Sequence, residues 1–256
     1  MFLGIRHGER GDVSSDPLER EKIQLPFDPH LTKVGEFQAQ LTGKEILKKL
    51  ETYEQNLIKQ NLFVTKIQPI VVTSPFLRTI QTSYQISQVL GSIYQDSIFV
   101  HDEIIELLDD DKTYGFDQDP RPRLFSNTMK LEDFKNYGMD FINGKLKLQK
   151  SIFINEEYKE PMYPESKPDC EMRIQKFLKH FPKQFFKKFK FNEFALIWVS
   201  HQYCIAAGCW FLKNTNIQEF PLKNVGYCGI LDCQFDDPED ICQIQVMQWG
   251  SNEHLE

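Results

Sequence analysis

The sequence predicts a three-layer α/β/α fold built on a mostly parallel central sheet. Two observations carry that expectation. Short apolar or β-branched runs, of strand length, alternate with longer stretches whose apolar residues recur at helical spacing. Strands that alternate with helices build a parallel sheet covered on both faces. The length, 256 residues, suits one large α/β domain and is enough to bury a sizeable core without staples.

In chain order, the strand runs are Phe2–Ile5, Pro69–Thr73, Ser97–Val100, Ala195–Ser200, Gly229–Phe235 and Ile241–Trp249. The first four are apolar nearly throughout, as strands buried on both faces are. The last two, separated by the turn-forming string DDPED, read as a hairpin. Between them lie three helical patterns. Thr32–Gln60 places Val34, Phe37, Leu41, Ile46, Leu47 and Leu50 at roughly helical spacing; Leu77–Leu90 and Glu171–Phe189 are the others. Within Lys176–Lys190, Phe177, Phe181, Phe185, Phe186 and Phe189 recur every three or four residues, which reads as one face packed on the sheet with the lysines solvated.

Asp109–Pro168 differs from the rest. It holds five of the thirteen prolines, the acidic run Asp109–Asp111 and little periodicity. We read residues 1–256 as a single domain with 109–168 as a cap or lid insertion containing short helices, since a structureless loop of that length is rare in a compact domain.

Composition excludes several classes. Thirty Lys and Arg against 37 Asp and Glu leave a net charge of −7, the wrong sign for a chain that grips nucleic acid by its phosphates. No run approaches the ~20 apolar residues of a spanning helix, so no membrane insertion is expected. MFLGIRHGER lacks the apolar core and cleavage site of a secretory signal, and the expected location is cytoplasmic or otherwise intracellular. The six cysteines (170, 204, 209, 228, 233 and 242) include no CxxC pair; they read as small buried hydrophobes rather than a disulfide framework or zinc site. His30, His101, His180 and His254 have no paired ligands beside them, and no metal or other cofactor is expected.

Chemistry concentrates at strand ends. Phe2–Ile5 runs into Arg6-His7-Gly8-Glu9-Arg10; Pro69–Thr73 into Ser74-Pro75-Phe76-Leu77-Arg78; Ala195–Val199 into Ser200-His201. Carboxyl ends of strands are where open α/β sheets bind ligands. Arg78 falls in the first turn of its helix, where the dipole disfavours a cation unless an anion lies beside it. Arg6, His7, Arg78 and His201 together would repel one another without a shared anion. Phosphate suits the forked donors of arginine.

These three strings, in this order, resemble the histidine phosphatase superfamily, of phosphoglycerate-mutase-like fold. Asp28-Pro29-His30-Leu31-Thr32-Lys33-Val34-Gly35-Glu36-Phe37-Gln38-Ala39 resembles its helix-entry segment. Within the superfamily the sequence is most similar to the eukaryotic Sts-type phosphatases, through Arg10 after Glu9 and, more loosely, Glu165-Ser166-Lys167-Pro168-Asp169 through Arg173. The resemblance implies that His7 is the nucleophile of a metal-independent phosphomonoester hydrolase. Arg6, Arg78 and His201 would hold phosphoryl oxygens, with Arg10 an additional contact. The neighbouring arginines favour a neutral, nucleophilic His7.

The same comparison selects Glu106 as general acid and base, with Glu103 as competitor. The apolar flanks of Glu106 lead us to expect a raised pKa. The substrate would be a phosphorylated small molecule or a phosphoprotein. A phosphoglycerate-type mutase is the alternative, weakened because the insertion is not strongly basic. A structural subunit of a larger assembly, or a homodimer, stays open.

Overall fold

In the computed structural model, residues 1–24, 27–60, 66–91, 97–109, 130–151, 163–188, 194–235 and 244–256 are described. β1 (Phe2–Arg6) lies inside a seven-stranded sheet, flanked by β5 (Phe194–Ser200), which runs parallel to it, and β6 (Ile230–Phe235), which runs antiparallel. Beyond β5 come β2 (Gln68–Thr73), β3 (Ser97–Val100) and β4 (Lys147–Lys150), all parallel; beyond β6 comes β7 (Ile244–Ser251), antiparallel to it. The expected α/β class and mostly parallel sheet are therefore what forms. The expected hairpin is β6–β7; its connection and residues 241–243 fall outside the described residues.

Alternation along each strand divides the core. Leu3, Ile5, Val71, Ile197 and Val199 pack on one face with α2 (Lys33–Lys59) and α3 (Leu77–Leu90). Phe2, Val72, Leu196 and Trp198 pack on the other with α4 (Lys167–Lys188) and α5 (Gln202–Lys213). A short helix, α1 (Pro17–Glu21), precedes α2. Phe177 and Phe181 of α4 are buried while Lys176, Lys179, Lys183 and Lys187 are exposed. Cys170, Cys204, Cys209, Cys228 and Cys233 are free and buried; Cys242 lies outside the described residues. Among the described residues no helix is long and apolar enough to cross a membrane.

Two expectations need correction. The buried stripe of α2 is only in part the one its apolar letters mark. Ile46 and Leu50 are buried, but Val34 and Phe37 are more than half exposed, and Gly35, Ala39, Thr42, Gly43 and Leu57 complete the buried face. The small residues let α2 approach its neighbours closely. A Cβ at Gly43 would stand 2.8 Å from Val89 Cβ on α3.

The 109–168 segment is also not all loop and short helix. After a 3-10 stretch at Leu131–Tyr137 it supplies β4 to the sheet edge, and Phe134, Met139, Phe141, Leu146 and Leu148 join the α2–α3 side of the core. Residues 110–129 and 152–162, which hold Pro120, Pro122, Pro161, Arg121 and Arg123, are outside the described residues.

Candidate active site

Parallel register brings the three strand ends together. Arg6 pairs with Ser200 and Thr73 with Val199, so His7, Ser74 and His201 leave the sheet side by side. The strand hydrogen bonding continues one residue further, with His7 N–H donating to Ser200 O at 3.0 Å and Ser74 N–H to Val199 O at 3.0 Å. The imidazoles of His7 and His201 come to 5.4 Å between centroids, edge to face.

Beyond His7 the chain must pass tightly over α2. A Cβ at Gly8 would stand 2.5 Å from Gly35 O, and one at Gly35 would stand 2.3 Å from Glu9 O, so neither position accepts a side chain. Thr32 fixes this crossing. Its hydroxyl accepts from Gly35 N–H at 2.9 Å as the α2 N-cap and donates to Glu9 Oε1 at 2.8 Å.

His7 is buried, with Nδ1 2.7 Å from Gly8 O. A carbonyl only accepts, so Nδ1 carries the proton and Nε2 keeps its lone pair. Burial lowers the His7 pKa well below the ordinary value, and Arg78, His201, Arg6 and Arg10 add to the effect. The ring is neutral at neutral pH.

Arg6 donates from Nη1 to Val225 O at 2.7 Å, and its guanidinium lies 4.0 Å from the Tyr227 ring centroid. Arg10 pairs with Asp12 at 2.9 Å and is close enough to His7, His201 and Glu106 to bias all three titrations. Arg78, nearly inaccessible, meets Asp28 Oδ1 at 3.2 Å and Glu106 Oε2 at 3.5 Å. Both Asp28 oxygens also accept from Leu77 N–H, at 2.8 and 3.0 Å. The anion that a cation in this helical turn requires is thus in part supplied by the chain itself. Burial pushes the Asp28 carboxyl up to about 6, against the pull of Arg78 and the backbone N–H groups.

His201 Nε2 lies 2.9 Å from Ser74 Oγ, and its Nδ1 lies 3.1 Å from Glu106 Oε2. Burial lowers its pKa to about 4, despite the opposing attraction of Glu106. Glu106, 24% exposed, departs from expectation. Burial would raise it, but His201, Arg78 and Arg10 outweigh burial and hold it at about 2. Its apolar sequence neighbours do not set its environment; His201, Arg78 and Arg10, arriving from beyond three other strands, do. Glu103 is buried elsewhere, 3.5 Å from His101 Nε2, where His101 packs on Phe177 and Phe181.

His7, His201 and Glu106 each offer a ligand atom within 4.8 Å of the others, a donor set of the type that holds zinc. Arg6, Arg10 and Arg78 around the same space disfavour a cation and favour an anion. Of the other histidines, His30 lies 3.0 Å from Glu19 Oε2, His254 lies 2.8 Å from Thr42 Oγ1, and His180 is exposed.

Sequence reasoning missed Asp28 and Tyr227 as neighbours of the cationic groups. Asp28 stands in the quoted helix-entry segment, but nothing local ties it to Arg78. Tyr227 follows no motif.

No family profile matches the chain, and no curated protein matches it in sequence. Solved structures do match in fold. Over the whole chain and 98% of the other, with a TM-score of 0.52 and 16% identity, it is similar to a histidine-to-alanine mutant of phosphoserine phosphatase from Entamoeba histolytica in complex with phosphoserine. It is similar to Bacillus stearothermophilus YhfR over 100% of this chain and 98% of that one, at 0.53 and 14% identity. The ecdysone phosphate phosphatase of Bombix mori, in complex with tungstate, aligns over 91% and 88% at 0.50 and 17% identity. At these identities the comparison establishes the architecture: the chain has the fold of these three proteins.

Proposed function

We propose that the protein is a phosphomonoester hydrolase that works through a phosphohistidine on His7. The observation that carries this reading is a neutral, tautomer-fixed imidazole set among Arg6, Arg10, Arg78 and His201, with a carboxylate in the same cluster. A nucleophile that needs no deprotonation and donors suited to three phosphoryl oxygens are the parts that phosphoryl transfer uses. His7 Nε2 attacks phosphorus as the bond to the ester oxygen breaks. That oxygen leaves with a proton from the Glu106 carboxyl. Glu106, now ionised, takes a proton from water; the hydroxide forms the new P–O bond, and the P–N electron pair returns to Nε2 as phosphate departs.

The names of the neighbours support the class. One phosphatase holds phosphoserine and another holds tungstate, a tetrahedral oxyanion. The likeness to Sts-type phosphatases rests on Arg10 and on the Glu165–Arg173 stretch. The substrate is a phosphorylated small molecule or phosphoprotein. Hydrolysis is favoured over mutase chemistry because the 109–168 sequence sets Arg121, Arg123 and scattered lysines against many acids, which does not suit a second phosphate.

The decisive test is kcat/KM for para-nitrophenyl phosphate and for an alkyl phosphate. His7→Ala, still folded by circular dichroism, should lose both activities; unchanged rates would remove His7 as nucleophile. Glu106→Gln should reduce kcat/KM for the alkyl ester by at least ~100-fold while leaving the aryl ester within severalfold, because only the poor leaving group needs a proton. Uniform slowing would reassign the acid.

A further inference from the structure

Residues 103–106 carry the Glu106 side chain and include only one turn of 3-10 helix, at Asp102–Ile104. Side chains from distant elements nevertheless occupy each of their main-chain carbonyls. Ile104 O accepts from Ser200 Oγ at 2.7 Å, and Ile105 O accepts from Cys204 Sγ at 3.0 Å. The remainder fall to one residue. Arg173 of α4 donates from Nη1 to Glu103 O at 2.8 Å and to Ile105 O at 3.1 Å, and from Nη2 to Glu106 O at 3.4 Å. Arg173 is buried, and its fork is filled on the other side by Glu165. Nε meets Oε1 at 2.8 Å and Nη2 meets Oε2 at 2.7 Å, with Cys170 Sγ 3.2 Å from Nη2.

Glu165 is itself tied to the segment it serves. Its N–H donates to Leu108 O at 2.7 Å, and its Oε2 accepts from Leu108 N–H at 3.4 Å. The stretch that carries Glu106 out to residue 108 and the stretch that returns at 165 are thereby closed on one another across a single guanidinium.

We infer that Arg173 is a positioning residue for Glu106, holding the carbonyls of residues 103, 105 and 106 at one planar cation that Glu165 orients. This inference rests on the reading of Glu106 as the acid. Arg173 touches no reacting atom. A planar five-donor fork satisfies a carboxylate and three carbonyls together, which a lysine ammonium cannot do. Loosening that turn changes where the Glu106 carboxyl meets the leaving oxygen, and general-acid transfer is sensitive to about an ångström of displacement. The arginines and histidines that hold phosphate stand on other strand ends and are left in place.

The test compares wild type, Arg173→Lys, Glu106→Gln and the double variant, each with its melting temperature, on the alkyl and para-nitrophenyl esters. Arg173→Lys should lower kcat/KM for the alkyl ester about 10-fold or more, a part of the general-acid contribution, and leave the aryl ester close to wild type. Added to Glu106→Gln, it should produce no further loss on the alkyl ester, because a group acting only through Glu106 has nothing left to position. Should Arg173→Lys not fold, Glu165→Gln, which keeps one acceptor for the guanidinium, should give the same split more weakly.

Equal losses on both esters, or losses that multiply with Glu106→Gln, would overturn the positioning role while leaving Glu106 as the acid. No split from Glu106→Gln alone would remove both.

Discussion

At the scale of single residues, the charge of Glu106 matters most. His201, Arg78 and Arg10 keep it ionised, with a pKa of about 2, yet in the proposed reaction the leaving group needs a proton. We propose that a substrate monoanion supplies one. Ionised Glu106 with a phosphate monoanion holds the same number of protons as protonated Glu106 with a dianion, and the proton moves to the carboxylate as the arginines take up the phosphoryl charge. The expected kcat/KM therefore falls about tenfold per pH unit above the second pKa of the ester, ~6 for ordinary phosphate monoesters. A fluorinated ester with a lower second pKa should shift that break downward by the same amount; a break fixed at one pH for all esters would contradict this account. The strand-end arginines and histidines were legible because each stands within a few residues of the end of an apolar run. Asp28 was not, because its contacts with Arg78 and Leu77 span about fifty positions and leave no local pattern. Nor was the ionisation of Glu106, since Ile104, Ile105 and Leu107 say nothing about a histidine arriving from β5.

At the scale of elements, α2 shows how close approach replaces bulk. Gly43→Ala sets two effects against each other. Alanine gains up to about 1 kcal/mol of helix propensity, while a methyl 2.8 Å from Val89 Cβ overpacks a well-filled contact, at a cost of about 1–3 kcal/mol. The clash should win, and a lower melting temperature with para-nitrophenyl phosphatase activity intact at 25 °C is expected. A higher melting temperature would mean that α2 and α3 separate easily. Strands buried on both faces were readable from composition alone. β4 was not: Lys147-Leu148-Gln149-Lys150 buries only Leu148, and an edge strand with three exposed polar residues has no apolar run to announce it. Val34 and Phe37 misled in the opposite direction, since exposed apolar residues are common on folded proteins.

For the molecule as a whole, the buried histidines link the pocket to acid stability. The folded pKa values of His7 and His201 lie below those of the unfolded chain. Their contribution is fully present above pH 6.5 and is lost as pH falls, through about 4 for His201. Glu106 extends that loss from pH 4.5 toward 2. Asp28, raised from 3.8 to about 6, works in the opposite sense between those values and offsets about one histidine. Between pH 6.5 and 5 wild type should lose stability more steeply than His7→Ala, because the unfolded chain takes up the His7 proton more readily than the folded one. Parallel denaturation curves would mean that His7 titrates normally. The paired hydrogen bonds between Leu108 and Glu165 make a narrow neck through which the intervening length of chain departs and returns. Because that length also lends β4 to the sheet, any replacement inherits an obligation to shield the outer rim of β3 or to leave it open to pairing with a foreign strand.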